Sequence, residues 1–406
     1  MKTNKRYAFL AVLAASVLVT LGDTRNIIGS LNYWLLWGGV LVFGVYGSGG
    51  RLKLSSEVSS ITLGFALITL AFMISAVINS DAYTAYQGVK FIAIYILFLV
   101  IYSCSGLLEL NDFYKIASIS IMVGLVVFVM SKFFFDGFYV QLGDGRQGSE
   151  FAYPGVMWKV CAFFAPYIIA KLLTARMRGA IFAGCVLMAS VYILLADSSR
   201  TGFLWFAIVI FSFFLLRFLV FPIRTLLVAI LCLIAGICVL LSSNVDLTNH
   251  DSLLVLNRLF EGDPVRAAMI RDGISNVQKC FPFGCGFGSS FSVVDGENIV
   301  IHNVYLGMLG DVGVLGELAL LFLMLMPFVF FLLSLVQGFD LNNNVFFKFA
   351  AILGVLCYIF IMLFHPLSTE MSEWGYWILM VSWLSRIYKY DDAGLINVGY
   401  GQKVGC

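Results

Sequence analysis

Apolar runs long enough to cross a bilayer recur along this chain, and that feature decides what it can fold into. A membrane-spanning helix needs about 20 consecutive apolar residues. Such runs fall at 7–22, 31–48, 58–78, 88–104, 113–134, 153–171, 179–196, 202–219, 225–242, 303–336, 346–364 and 373–388. With 61% apolar and 12% charged residues among 406, the chain lacks the polar side chains that a soluble fold of this size needs on its surface. The expectation is an all-α polytopic membrane protein of about 12 transmembrane helices. The 303–336 run is longer than a bilayer requires, so it would tilt or begin as a helix outside the membrane.

Basic residues orient the spans, because Lys and Arg concentrate in cytoplasmic loops. Lys2, Lys5 and Arg6 precede the first span; Arg51 and Lys53 follow the second. Lys171, Arg176 and Arg178 follow the sixth, Arg217 and Arg224 flank the next such turn, and Arg386 and Lys389 follow the last. All of these share one side if twelve spans are counted, which makes both termini cytoplasmic. The first run has the basic start of a signal peptide, but no small-x-small cleavage site stands near Leu21–Arg25, so it is read as a retained helix.

Four regions follow: 1–242 with nine spans, a long external loop at 243–301, the last three spans at 302–389, and a cytoplasmic polar tail at 390–406. The loop carries His250, Arg258, Arg266, Arg271 and Lys279. Val265, Met269, Ile270, Ile274 and Val277 recur at the spacing of an amphipathic helix, which would lie over the outer membrane surface. A loop of this length is functional or disordered.

Several cations break the inside rule. Lys90, Arg146 and Arg200 sit at the outer ends of spans, and Lys159 lies inside the sixth, where a charge costs about 2.5–3.5 kcal/mol on insertion scales. Two readings stay open. These side chains could snorkel or pair with Asp23, Asp81, Asp144, Glu150 or Asp197. Alternatively, with Arg258, Arg266 and Arg271 they could converge on an anionic ligand such as a lipid-linked diphosphate, whose oxygens a guanidinium binds in pairs. The net charge of +2 points to no nucleic-acid partner.

Local motifs sharpen the second reading. They are Asp197-Ser198-Ser199-Arg200-Thr201-Gly202; Gly145-Arg146-Gln147-Gly148 followed by Pro154; Pro264-Val265-Arg266 with Pro282-Phe283-Gly284-Cys285-Gly286-Phe287-Gly288; and His302-Asn303-Val304-Tyr305-Leu306 continuing to Gly310-Asp311-Val312-Gly313-Val314-Leu315-Gly316. In this order, with the long loop between the spans, they resemble the O-antigen ligase and O-antigen polymerase superfamily of bacterial inner membranes. The resemblance runs from about residue 88 to 320. It implies a GT-C-like helical fold and an inverting, metal-independent transfer of glycan from undecaprenyl diphosphate on the periplasmic face, without a cofactor. Carried over by position, Arg146, Arg200 and Arg266, with Lys90, would grip the donor diphosphate, and His302 would take the acceptor hydroxyl's proton. The acceptor would be another lipid-linked repeat unit for a polymerase, the favoured reading, or lipid A–core for a ligase. A chain-length regulator is a possible partner. A lipid-linked oligosaccharide flippase is the rival from another class, although transporters tend to carry repeat symmetry and polar residues at the midplane.

Plainer readings stand beside these. His302 could cap the helix that follows it. Gly310, Gly313 and Gly316 would serve close helix packing. Gly284-x-Gly286-x-Gly288 is expected to be a turn, since no βαβ unit surrounds it. Asp311 stands where the family often carries Glu, with the charge kept and the reach shorter. His250 and His365, also external, lack metal-ligand spacing. Cys280 and Cys285 could pair if their compartment is oxidising.

Overall fold

The computed structural model describes residues 2–52, 55–143, 145–222, 264–294, 296–336 and 345–398. The expected ninth span at 225–242, together with His250 and Arg258, lies outside the described residues.

The chain is a helical membrane protein. Its helices are α1 (Lys2–Thr20), α2 (Thr24–Ser48), α3 (Ser56–Asn79), α4 (Ala82–Ser105), α5 (Leu110–Phe133), α6 (Trp158–Thr174), α7 (Met177–Asp197) and α8 (Arg200–Val220). After the undescribed stretch come α9 (Pro264–Cys280), α10 (Val304–Asp311), α11 (Val314–Val336), α12 (Val345–Met362) and α13 (Met371–Val398). Eight of them are long and apolar enough to cross a membrane: α2–α5, α7, α8, α11 and α12. Helices α1, α6 and α13 coincide with further expected spans. The 303–336 run does begin as a separate helix. Gly313, at φ +90°, breaks it between α10 and α11. Helix α13 runs on to Val398, through the first residues of the expected tail.

Two helices form the centre of the bundle. Every residue of α6 from Trp158 to Ala170 is buried, and α13 buries Trp374, Tyr376, Trp377 and Trp383. Phe163 stacks on Tyr376 with centroids 4.3 Å apart, and Tyr167 meets Trp383 edge-on at 4.9 Å. Peripheral helices instead present bare apolar side chains outward, among them Leu31, Val77 and Leu219, each more than 70% exposed. Such a surface suits hydrocarbon and not water.

Contacts between distant loops define the two ends of the bundle. At one end Lys5 pairs with Glu109 at 2.6 Å and Arg386 Nε donates to the Leu108 carbonyl at 3.0 Å. At the other, the Asp23 carboxylate accepts from Tyr153 N at 2.8 Å, and Thr84 accepts from Phe287 N at 2.6 Å. This second end also carries the strands, two small hairpins that an all-α expectation left out. Strands β1 (Tyr139–Gln141) and β2 (Gln147–Ser149) pair antiparallel, as do β3 (Phe291–Val294) and β4 (Glu297–Val300).

Candidate active site

At the hairpin end, a cavity of about 410 Å3 is lined by Arg146, Trp158, Lys159, Arg200, Arg266, His302, His365 and Glu373, with Pro154 and Pro366 beside them. The expected site residues Arg146, Arg200, Arg266 and His302 come from four separate segments and meet here.

Local structure explains how each arrives. Ser198 closes α7 in the left-handed conformation, at φ 52°. Ser199 then caps α8 by accepting from Gly202 N at 3.3 Å, which makes Arg200 the first helical residue. A cation at a helix N-terminus is disfavoured by the macrodipole, by about 0.3–1 kcal/mol; helix and guanidinium together favour an anion. Gly202 lies flat against the Trp158 indole, where a Cβ would come to 3.0 Å. The Ser-Arg-x-Gly turn is thus a cap, a cavity-facing cation and a space for an indole.

Arg146 rises from the β1–β2 hairpin, where Gly145 at φ +84° makes the turn. Its guanidinium reaches Asp197 at 3.4 Å and the Asp197 carbonyl at 3.2 Å. The same fully buried carboxylate accepts from Gly155 N at 2.7 Å and Trp158 N at 2.8 Å. Asp197 therefore ties the hairpin, the start of α6 and the end of α7 into one unit, and for this arginine the ion-pair reading holds. Gly155, at φ +94°, passes so close that a Cβ would collide with the Arg146 guanidinium.

Arg266 lies in the first turn of α9, opened by Pro264, and its guanidinium carbon sits 5.6 Å from the centre of the Phe364 ring. Helix α9 buries Met269, whereas Ile270 and Ile274 are exposed, so only part of the expected apolar stripe faces the protein.

His302 does not cap α10. Asn303 does, accepting from Leu306 N at 3.0 Å. His302 faces the cavity with Nδ1 2.8 Å from the Val300 carbonyl. A carbonyl can only accept, so this contact requires a proton on Nδ1. In the neutral ring Nε2 then carries the lone pair.

Lys90, expected to join the grip, does not line the cavity. It pairs with Glu370 at 2.9 Å, as does Arg25. These two cations hold the Glu370 carboxyl below its ordinary pKa against the opposing effect of burial. Arg271 is exposed on α9 and is not among the cavity residues.

On the far wall, the sequence marks Lys159 as a charge inside a span but not its partner Glu373, which is not among the acids expected to pair with these cations. Lys159, 1% exposed, is bound through both Glu373 oxygens at 2.6 and 2.7 Å. His365 sits over Trp158 in the α12–α13 turn. A signal existed for the Lys159–Glu373 pair: one lies inside an apolar run and the other opens one, and ionisable residues so placed seldom stay unmatched in a membrane.

No protein-family model matches the chain, and neither does any curated protein. The site rests on its own geometry.

The glycine-rich stretch beside the site is a turn, with Gly284, Gly286 and Gly288 all at positive φ. Close helix packing holds for Gly310, where a Cβ would strike Asn276 of α9 as well as Ser290, whereas Gly313 admits the loop, since a Cβ there would strike Pro282 and Phe283. Asp311 has a structural task. Its carboxylate accepts from Gly288 N at 2.7 Å, Ser290 N at 2.7 Å and the Ser289 hydroxyl at 3.0 Å. Cys280 and Cys285 form a disulfide across the same segment.

Proposed function

We propose that the protein is a metal-independent, inverting glycosyltransferase of the O-antigen polymerase and ligase kind, transferring glycan from undecaprenyl diphosphate during O-antigen or exopolysaccharide assembly. The observation that carries this reading is the convergence of Arg146, Arg200, Arg266 and His302 on one cavity. Breaking a sugar–phosphate bond builds negative charge on the diphosphate. Guanidinium groups held in place by a helix cap, an ion pair and an aromatic ring stabilise that charge without reorganising. The acceptor hydroxyl attacks the anomeric carbon from the opposite face and gives its proton to His302 Nε2. Arg146, Arg200 and Arg266 are the donor contacts in this reading, with Arg146 also bound to Asp197.

The site end faces the periplasm in this reading, with twelve spans in the inner membrane and both termini cytoplasmic. Basic loop residues support that orientation. So does the Cys280–Cys285 disulfide, which belongs in an oxidising compartment.

Polymerisation is the form of the reaction we carry forward; a ligase would use the same donor contacts with lipid A–core as acceptor. Purified protein in detergent, given undecaprenyl diphosphate-linked repeat units, should yield longer glycans, and Arg200→Ala should not. Single repeats joined only to lipid A–core would identify a ligase. No transfer with either acceptor, alongside movement of the lipid-linked glycan across vesicles, would identify a flippase and overturn the reading.

A further inference from the structure

The cavity holds a second imidazole that the chemistry above leaves unused. His365 lies in the turn between α12 and α13, with its ring centroid 6.4 Å from that of Trp158. Pro366 follows it and restricts its backbone to extended conformations. Among the described residues, neither ring nitrogen of His365 has a hydrogen-bond partner. Polar groups inside proteins are normally satisfied. A cavity-lining ring without a protein partner is therefore placed to meet whatever fills the cavity.

Its surroundings determine the form in which it does so. Burial, followed by the charges of Lys159, His302 and Arg266, holds the imidazole well below the ordinary histidine pKa of 6.5. The ring is neutral at physiological pH, a poor proton acceptor that still has one N–H to donate. Neutral imidazoles with depressed pKa values act elsewhere as electrophilic donors to oxygens that gain charge. His365 lines the same cavity as Arg146, Arg200 and Arg266, the proposed diphosphate contacts, so its N–H is available in the space where that charge develops.

We propose that His365 donates a hydrogen bond to the departing diphosphate oxygen, while His302 takes the acceptor's proton. This rests on the glycosyl-transfer reading. The acceptor oxygen forms the new bond to the anomeric carbon. The bond from that carbon to the phosphate oxygen breaks, and its electron pair leaves with the diphosphate. The acceptor proton goes to His302 Nε2, and His365 keeps its own throughout. Arginine forks bind oxygens that are charged before and after the step; a single directed N–H strengthens as the leaving oxygen gains charge, which raises kcat more than affinity.

The test uses the full-length protein in detergent with undecaprenyl diphosphate-linked glycan, comparing His365→Phe, His365→Gln and His302→Ala across pH. His365→Phe keeps a ring beside Trp158 without the N–H, and His365→Gln keeps an N–H that does not titrate. The Phe variant should lose about 10²-fold in kcat with donor KM within about threefold. The Gln variant should recover to within about tenfold of wild type, and its acidic limb in the pH–rate profile should stay where the wild type has it. That limb should disappear only in His302→Ala. A Gln variant as inactive as Phe, or one lacking the acidic limb, would make His365 a base and overturn the proposal; a Phe variant within about twofold of wild type would remove the contact altogether. Failure of the underlying reading looks different: wild-type protein would transfer nothing, and Arg200→Ala would bind undecaprenyl diphosphate as well as wild type does.

Discussion

Two cavities of similar size lie at opposite ends of the bundle, about 330 Å3 at one and about 410 Å3 at the other. At the first, one carboxylate, Glu57, accepts from the Tyr102 hydroxyl at 2.6 Å and from Ser385 at 2.7 Å among Ile61, Phe330 and Leu384. No basic side chain is among the residues that line it. At the second, Arg146, Lys159, Arg200 and Arg266 share the wall with two imidazoles. Volume therefore does not select the site. One space encloses a single carboxylate bound by two hydroxyls; the other gathers four cations, two of them paired with the carboxylates of Asp197 and Glu373.

Breaking this contrast should have its largest effect at the imidazole. His302→Ala should lower transfer by about 10²–10⁴-fold, the range lost with a general base, and a variant retaining wild-type rates would remove His302 from the mechanism. Next comes the far wall. Glu373→Gln leaves Lys159 buried without its carboxylate and should destabilise the protein by about 3–5 kcal/mol, visible as a lower Tm in detergent. Replacing both partners by apolar residues should restore much of that loss. If the single and double variants melt together, the pair is not holding α6 to α13.

A smaller effect follows from His365. Its folded pKa is depressed, so the unfolded chain takes up a proton at about pH 6.5 that the folded chain does not. Stability from this residue is complete above that pH and is lost as pH falls below it, by up to about 1.4 kcal/mol per pH unit within the window. His365→Gln should flatten this part of the pH–Tm curve. The smallest change is expected at the other cavity, where Glu57→Gln should leave transfer within about twofold of wild type, since distant sites act independently.

The spans were largely legible because hydrocarbon demands long apolar runs whatever the topology. Which of them lie at the centre was not: α6 and α13 read like their neighbours, since a residue facing lipid and one facing protein are equally apolar. At the site, Arg146, Arg200 and Arg266 stood out by sidedness, and His302 by its motif. Lys90 carried the same outward mark, but its partner Glu370 lies 280 residues away. His365 carried no mark beyond the external position it shares with His250. A short turn between two spans shows nothing of the indole it will cover, and Trp158 comes from another helix.

Lipid binding separates the cavities most directly. Undecaprenyl diphosphate should bind purified wild-type protein and Glu57→Gln alike in detergent, and less tightly at high salt. Arg200→Ala and Arg266→Ala should each weaken it by about tenfold or more, the loss of a charge-assisted contact. Equal binding by the arginine variants and the wild type, or loss of binding in Glu57→Gln, would contradict the assignment.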